Sequence, residues 1–324
     1  MASPPLRRGL RRDGRGVTVT LHPLSLARRE RLSQVGLNAD QMEDLIRRSI
    51  EEDLAGGVDV TTVSTVPAGQ RSLARFATRV HGTVAGLDIA AAAVEMVCGP
   101  ETCTFSQVRD DGDRVSPGDV LATVEAPTRG LLTAERTALN FLCHLSGVAT
   151  ATAMWVDAIA GTEAHVRDTR KTTPGLRSLE KYAVRCGGGQ NHRMSLSDAA
   201  LVKDNHIVAA GGVAEAFARV RQTAPGMVVE IEVDTLVQLQ VALDAGADLV
   251  LLDNMAPSVM SEAVAISRRH TERTGRHVLL EASGGLALAN AKDVAATGVD
   301  FISVGALTHS SPILDIGLDV QTAQ

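Results

Sequence analysis

From Asn38 onward the chain alternates between two hydrophobic periods. NADQMEDLIRRSIEEDL sets Met42, Leu45, Ile46, Ile50 and Leu54 on one face at helical spacing, with Asn38 in front as an N-cap. GGVDVTT ends that helix. SLARFATRV and GTVAGL then read as strands, IAAAAVEMV as a helix, and DGDRVSPGDVLATVEA as short strands joined by glycine turns. The last of these resembles half of a carrier domain, but a carrier needs a lysine at a hairpin tip, and residues 1–170 contain none. Thr133 to Leu145 reads as a helix leading into the second half.

The second half repeats one plan. Apolar strand-like runs occur at 164–168, 199–203, 227–233, 248–253, 278–282 and 300–304, with helical stretches such as VAEAFARVRQ and LVQLQVALDA between them. Alternating strands and helices predict a parallel α/β sheet. A doubly wound dinucleotide fold would carry GxGxxG after an early strand, and that motif is absent. An α/β barrel is therefore expected, with its site at the C-terminal ends of the strands.

Those ends carry chemistry in register: Arg170 and Lys171; Lys203, Asp204 and Asn205; Glu230 and Glu232; Asp253 and Asn254; Glu281 with Ser283-Gly284-Gly285; and Gly305. Arg170, Lys171, Lys203, His192 and Arg193 form a cationic set suited to an anion with several carboxylates or phosphates. Glu232 and Asp253 form an acidic set suited to sugar hydroxyls or a divalent metal. ASGGL and SVGAL place small residues between strand and helix, where backbone N–H groups can take a phosphate. The residues by themselves thus predict a site for a phosphorylated sugar and a second, polyanionic ligand.

Composition narrows the partners. Aromatic residues make up 2% of the chain and the net charge is -6, which speaks against nucleic acid. No apolar run approaches the roughly 20 residues that span a bilayer, so no membrane partner is expected. Cys98, Cys103, Cys143 and Cys186 lack metal-ligand spacing and read as reduced thiols, which places the protein in the cytoplasm. Only Lys171, Lys181, Lys203 and Lys292 are lysines in an otherwise arginine-using chain. Lys181 and Arg185 read as a solvated helix face, Arg177 as scaffold, and His206 and His309 as caps or packing residues. Glu230 and Glu281 read as supporting groups. Residues 1–37, rich in arginine and poor in acid, read as a disordered extension.

AERTALNFLCHLSGVAT, DTRKTTPGLRSLEKYAVRCGGGQNHR, LVKDNHI, EIEVDTL, LLDNM, LEASGGL and SVGALTHSSPILDIGLD together resemble the quinolinate phosphoribosyltransferase family, from about Asn38 to the C-terminus. The resemblance implies an N-terminal α/β sandwich domain at 38–140, completed by about 308–324, and an open, TIM-like α/β barrel at 141–307. It implies a homodimer, or a hexamer built from it, in which Arg136 reaches the neighbouring site. Arg170, His192, Arg193 and Lys203, with Thr169 and Arg136, would bind quinolinate. Lys171, Glu232 and Asp253 would be catalytic and would contact phosphoribosyl pyrophosphate, together with Ser283, Gly284, Gly285, Val304, Gly305 and Ala306. Glu232 and Asp253 would hold Mg²⁺, directly or through water, and no organic cofactor is expected. Three other readings compete: a phosphoribosyltransferase using nicotinate, a Schiff-base lyase with Lys203 as nucleophile, and a non-catalytic sugar-phosphate binder.

Overall fold

The computed structural model describes residues 19–321. Helix α1 (Leu26–Gln34) starts on Ser25, whose hydroxyl accepts from the Arg28 N–H at 3.2 Å. Helix α2 (Ala39–Leu54) starts on Asn38, which accepts from the Gln41 N–H at 3.0 Å, and buries Met42, Ile46 and Ile50 on the expected face. After α3 (Val60–Thr65) come β1 (Arg71–Thr78) and β2 (Gly82–Thr83), then α4 (Leu87–Cys98), which is buried along its whole length. Strands β3 (Thr104–Gln107), β4 (Arg114–Val115) and β5 (Val120–Pro127) lead into α5 (Thr128–Ala158).

One expectation fails here for a physical reason. Residues 1–18 of the expected disordered extension lie outside the described residues, but 19–37 are folded. Leu24, Leu32 and Leu37 are buried in the core, and the arginines of α1 pair with acids far along the chain. The expected domain boundary at 140/141 falls inside α5, which runs unbroken from one half to the other. Gly147 looks like a break but is a packing device: a Cβ there would lie 2.1 Å from the Pro312 carbonyl oxygen. By length and mean hydropathy α5 could cross a membrane, yet it is mostly buried, packed on α4.

The second half runs β6 (His165–Arg167), α6 (Arg177–Cys186), β7 (Ala200–Val202), α7 (Asp204–Ala210), α8 (Val213–Thr223), β8 (Val229–Val233), α9 (Leu236–Ala245), β9 (Leu249–Asp253), α10 (Pro257–Thr274), β10 (Leu279–Ser283), α11 (Ala291–Ala295), β11 (Phe301–Ser303) and α12 (Ala306–His309). All six expected strands form, and they pair in parallel in the order β6-β11-β10-β9-β8-β7. Although β6 and β7 end that order, Thr169 after β6 and Lys203 after β7 line one cavity. The sheet therefore curls into an open barrel, and a parallel bridge from Arg167 to Gln190 covers the free edge of β6. Apolar residues such as Ile231, Val250, Leu280 and Ile302 point to the helix side and are buried there.

The last strand, β12 (Ile316–Gln321), returns to the first half. It pairs antiparallel with β1, completing a sheet ordered β12-β1-β5-β3. The tail thus supplies an edge strand to the sheet of the first half.

Candidate active site

Alternation along each barrel strand puts every second residue inside. Glu230 and Glu232 on β8, Leu251 and Asp253 on β9, and Glu281 and Ser283 on β10 follow this rule. All of these but Glu230, together with Thr169, Arg170, Lys171, His192, Arg193, Lys203 and Ser303, surround a cavity of about 430 Å³, in which Leu201 and Leu251 supply apolar wall. The cationic and acidic sets predicted from the strand ends thus meet in one place.

Two of the cations, Arg170 and Arg193, are poised rather than paired. Among the described residues, Nε of Arg170 and Nε of Arg193 are buried without an acceptor. Arg193 otherwise donates to the Ala199 carbonyl at 2.9 Å. Burial, and then the neighbouring Arg170 guanidinium, push the Arg193 pKa down, partly offset by Glu230. Two like charges with unused donors beside an apolar wall are suited to a flat anion. Lys203 pairs with Glu232 at 3.3 Å and lies where the cationic and acidic sets meet. Its side chain is 47% exposed, unlike the apolar enclosure that a Schiff-base lysine needs.

The loop carrying Arg170 is fixed from behind. Asp168 is fully buried and accepts from the Lys181 ammonium, from Asn191 Nδ2 at 2.6 Å and from the His192 N–H at 2.9 Å. Lys181 also donates to the His192 carbonyl at 2.9 Å. Lys181 is therefore not on a solvated face: it is fully buried, and its helix turns that face toward Asp168. Burial pushes the Asp168 carboxyl up and the Lys181 ammonium down, each opposed by the other's charge. Thr169 Oγ1 accepts from the Lys171 N–H at 3.0 Å, and Thr308 holds the Lys171 carbonyl at 2.8 Å.

The loops expected to take a phosphate are shaped by backbone. Gly284 has φ +84°, and a Cβ there would lie 2.9 Å from Asn254 N and 3.0 Å from Asp253 Oδ1, so no larger residue fits. The N–H groups of Gly284 and Gly285 find no acceptor among the described residues. Gly305 stands against Thr169 and Lys171, and Ala306 opens α12 on the surface. Val304 does not fit its expected role: its side chain is buried and its N–H already donates to the Arg167 carbonyl at 2.9 Å.

Other residues fall as follows. Arg136 lies on α5 with its side chain 65% exposed, outside the cavity of its own chain. Arg177 ties Thr172 to the Met194 carbonyl as scaffold. Arg185 is exposed and bridges Asn191 to the Val35 carbonyl. His206 caps α7 by accepting from the Lys203 N–H at 3.0 Å. His309 bonds to Ser310. Cys98 and Cys186 are pushed up to about 12, mainly by burial, and are inert thiols. Sequence reasoning missed Arg167, Ser303 and Asn191; the first two were readable as one alternation before Thr169 and Gly305.

An open barrel whose mouth joins a polycationic pocket to neighbouring carboxylates and glycine-lined loops defines a phosphoribosyltransferase-like enzyme. The chain belongs to the quinolinate phosphoribosyltransferase family. Residues 59–146 match its N-terminal domain and residues 148–319 its C-terminal domain. A nicotinate-nucleotide pyrophosphorylase [carboxylating] of Mycobacterium leprae is 51% identical over 281 residues, covering 87% of this chain and 98% of that protein. A Nicotiana tabacum protein named quinolinate phosphoribosyltransferase [decarboxylating] 2b, mitochondrial, is 35% identical, covering 87% and 82%. The solved nicotinate-nucleotide pyrophosphorylase of Francisella tularensis superposes with a TM-score of 0.81 at 39% identity, covering 87% of this chain and 96% of that one.

Proposed function

We infer that the chain transfers the phosphoribosyl group of phosphoribosyl pyrophosphate to quinolinate with loss of CO₂, giving nicotinate mononucleotide and pyrophosphate for NAD synthesis. The observation that carries this reading is the pair of buried, acceptor-less guanidinium Nε atoms of Arg170 and Arg193, set across one cavity from Glu232 and Asp253. A dicarboxylate supplies the missing acceptors, and the carboxylates suit the sugar.

In this reading the bond from ribose C1 to pyrophosphate breaks first, through an oxocarbenium-like state that Glu232 and Asp253 favour electrostatically. Lys171 takes the phosphate side, and the Ser283 to Gly285 loop with Gly305 and Ala306 takes the 5′-phosphate. The quinolinate ring nitrogen then attacks C1. The resulting pyridinium accepts the electron pair left when the neighbouring carboxylate departs as CO₂, and a proton replaces it. Arg170, Arg193 and Lys203, with Thr169, hold the acid without needing an organic cofactor. Glu232 and Asp253 also fit Mg²⁺: both are hard oxygen donors at the cavity, and Asp253 has no side-chain partner among the described residues. Bound there, the ion would offset charge on the leaving pyrophosphate.

The test is mass-balanced turnover with Mg²⁺. Quinolinate should give nicotinate mononucleotide and CO₂ in equal amounts, while nicotinate should give little product. Equal turnover of nicotinate without CO₂ would overturn the assignment in favour of the monocarboxylate enzyme. No product from either acid would leave only a binding protein.

We further propose a homodimer in which Arg136 of one chain serves the other's site, with a hexamer as its larger assembly, and a cytoplasmic location that suits four free thiols. The exposure of Arg136 outside its own cavity supports this. Mixing Arg136→Ala chains with Lys171→Ala chains should restore part of the activity that each lacks. A mixture as inactive as its components would count against a shared site.

A further inference from the structure

The centre of the barrel carries charge where such barrels normally hold branched aliphatic side chains. Arg167, Glu230, Glu281 and Ser303, with His192 from the loop after α6, occupy that volume, and both glutamates are buried. Burying charge in place of packed hydrocarbon is costly unless every group is held. Glu281 is held completely. Its Oε2 takes Arg167 at 2.7 Å, and its Oε1 takes the Ser303 hydroxyl and lies 3.5 Å from His192 Nε2.

His192 is the centre of this arrangement. Its Nε2 lies 2.8 Å from Glu230 Oε2, while its Nδ1 accepts from the Arg193 N–H at 2.6 Å. An Nδ1 that accepts carries no proton, so the ring proton sits on Nε2 and faces the glutamates. Both ring nitrogens thus have partners within the protein. The backbone N–H and C=O of His192 are likewise held, by Asp168 and Lys181. The next residue is Arg193, whose buried Nε lacks an acceptor.

We propose that Glu230 and Glu281 are positioning residues acting through His192: they fix its Nε2–H form, which holds the Arg193 backbone and so aims its guanidinium at the dicarboxylate. This rests on the quinolinate reading above. A divalent cation on the same three side chains is the other use of the cluster, since their ligand atoms lie within 4.8 Å of one another. The donors already on Glu281 argue against it. Among the described residues Glu230 Oε1 alone is free, and one oxygen does not make a cation site.

Two variants and one spectrum test the proposal. Glu230→Met keeps the volume but removes the acceptor. It should raise KM for quinolinate about tenfold, the effect of one lost hydrogen bond, with KM for phosphoribosyl pyrophosphate within about twofold. Glu230→Gln, which still accepts from Nε2–H, should recover most of the loss. Equal shifts in both KM values, or no difference between Met and Gln, would overturn the role. Nitrogen-15 NMR of the wild-type protein, with His192 identified through His192→Asn, should find Nδ1 unprotonated near neutral pH. A protonated Nδ1 there would overturn it even if the Glu230 variants fail to fold. Titration with Mn²⁺ alone should find no site that Glu230→Gln abolishes; such a site would replace positioning by metal binding. If quinolinate is not turned over at all, the spectrum still decides the His192 arrangement, so the two failures are distinguishable.

Discussion

The arginines of α1 and those at the barrel mouth differ in what they meet. In α1, Arg28 pairs with Asp88 and Glu95, Arg29 with Asp40 and Glu43, and Arg31 with Asp88. At the mouth, neither Arg170 nor Arg193 has an acidic partner within ion-pair distance among the described residues, and both bury an Nε without an acceptor. The first group fastens a helix to α2 and α4; the second keeps the unused donors that the proposed dicarboxylate would fill. Partnering, more than charge density, separates a structural arginine from a binding one.

Three substitutions probe that distinction, beginning with the largest effect. Lys181→Met leaves the Asp168 carboxylate buried without its counter-charge and should lower stability by roughly 3–5 kcal/mol. Urea unfolding measures this, and a loss under about 1 kcal/mol would mean that Asp168 is neutral or hydrated. Arg193→Ala should weaken quinolinate binding by roughly 1.5–3 kcal/mol while leaving phosphoribosyl pyrophosphate nearly unaffected. Separate calorimetric titrations check it, and equal weakening of both ligands would contradict the assignment. Arg28→Ala should cost about 1 kcal/mol of stability, a typical single-site loss, with kcat/KM unchanged. A drop in kcat/KM at constant stability would give α1 a place in catalysis that its geometry does not suggest.

The barrel was legible in the sequence because its strands are short, apolar and separated by helices, and because polar residues recur at one relative position. Glu232, Asp253 and Ser283 fall where that reasoning placed them. Helix α1 was not legible: its counter-charges at Asp88 and Glu95 are local in space and distant in sequence, so the stretch looked unbalanced. Lys181 was misread for a similar reason. Helical spacing reveals that residues share a face, but which face is buried depends on where the loop from Asp168 returns. The helix expected to stop at Leu145 continues because Gly147 answers to the tail packed against it. His192 was legible as a site residue, while the direction in which its ring points depended on Glu230 and Glu281 across the barrel.

The pairing of β1 with β12 also imposes an order on biosynthesis. β1 is made early, yet one of its two edges gains its partner only after the whole barrel has been translated. Until then a nascent chain presents an open strand edge, a template for pairing with the wrong neighbour. Emergence of β12, rather than completion of the first domain's own segment, is the moment at which this sheet closes.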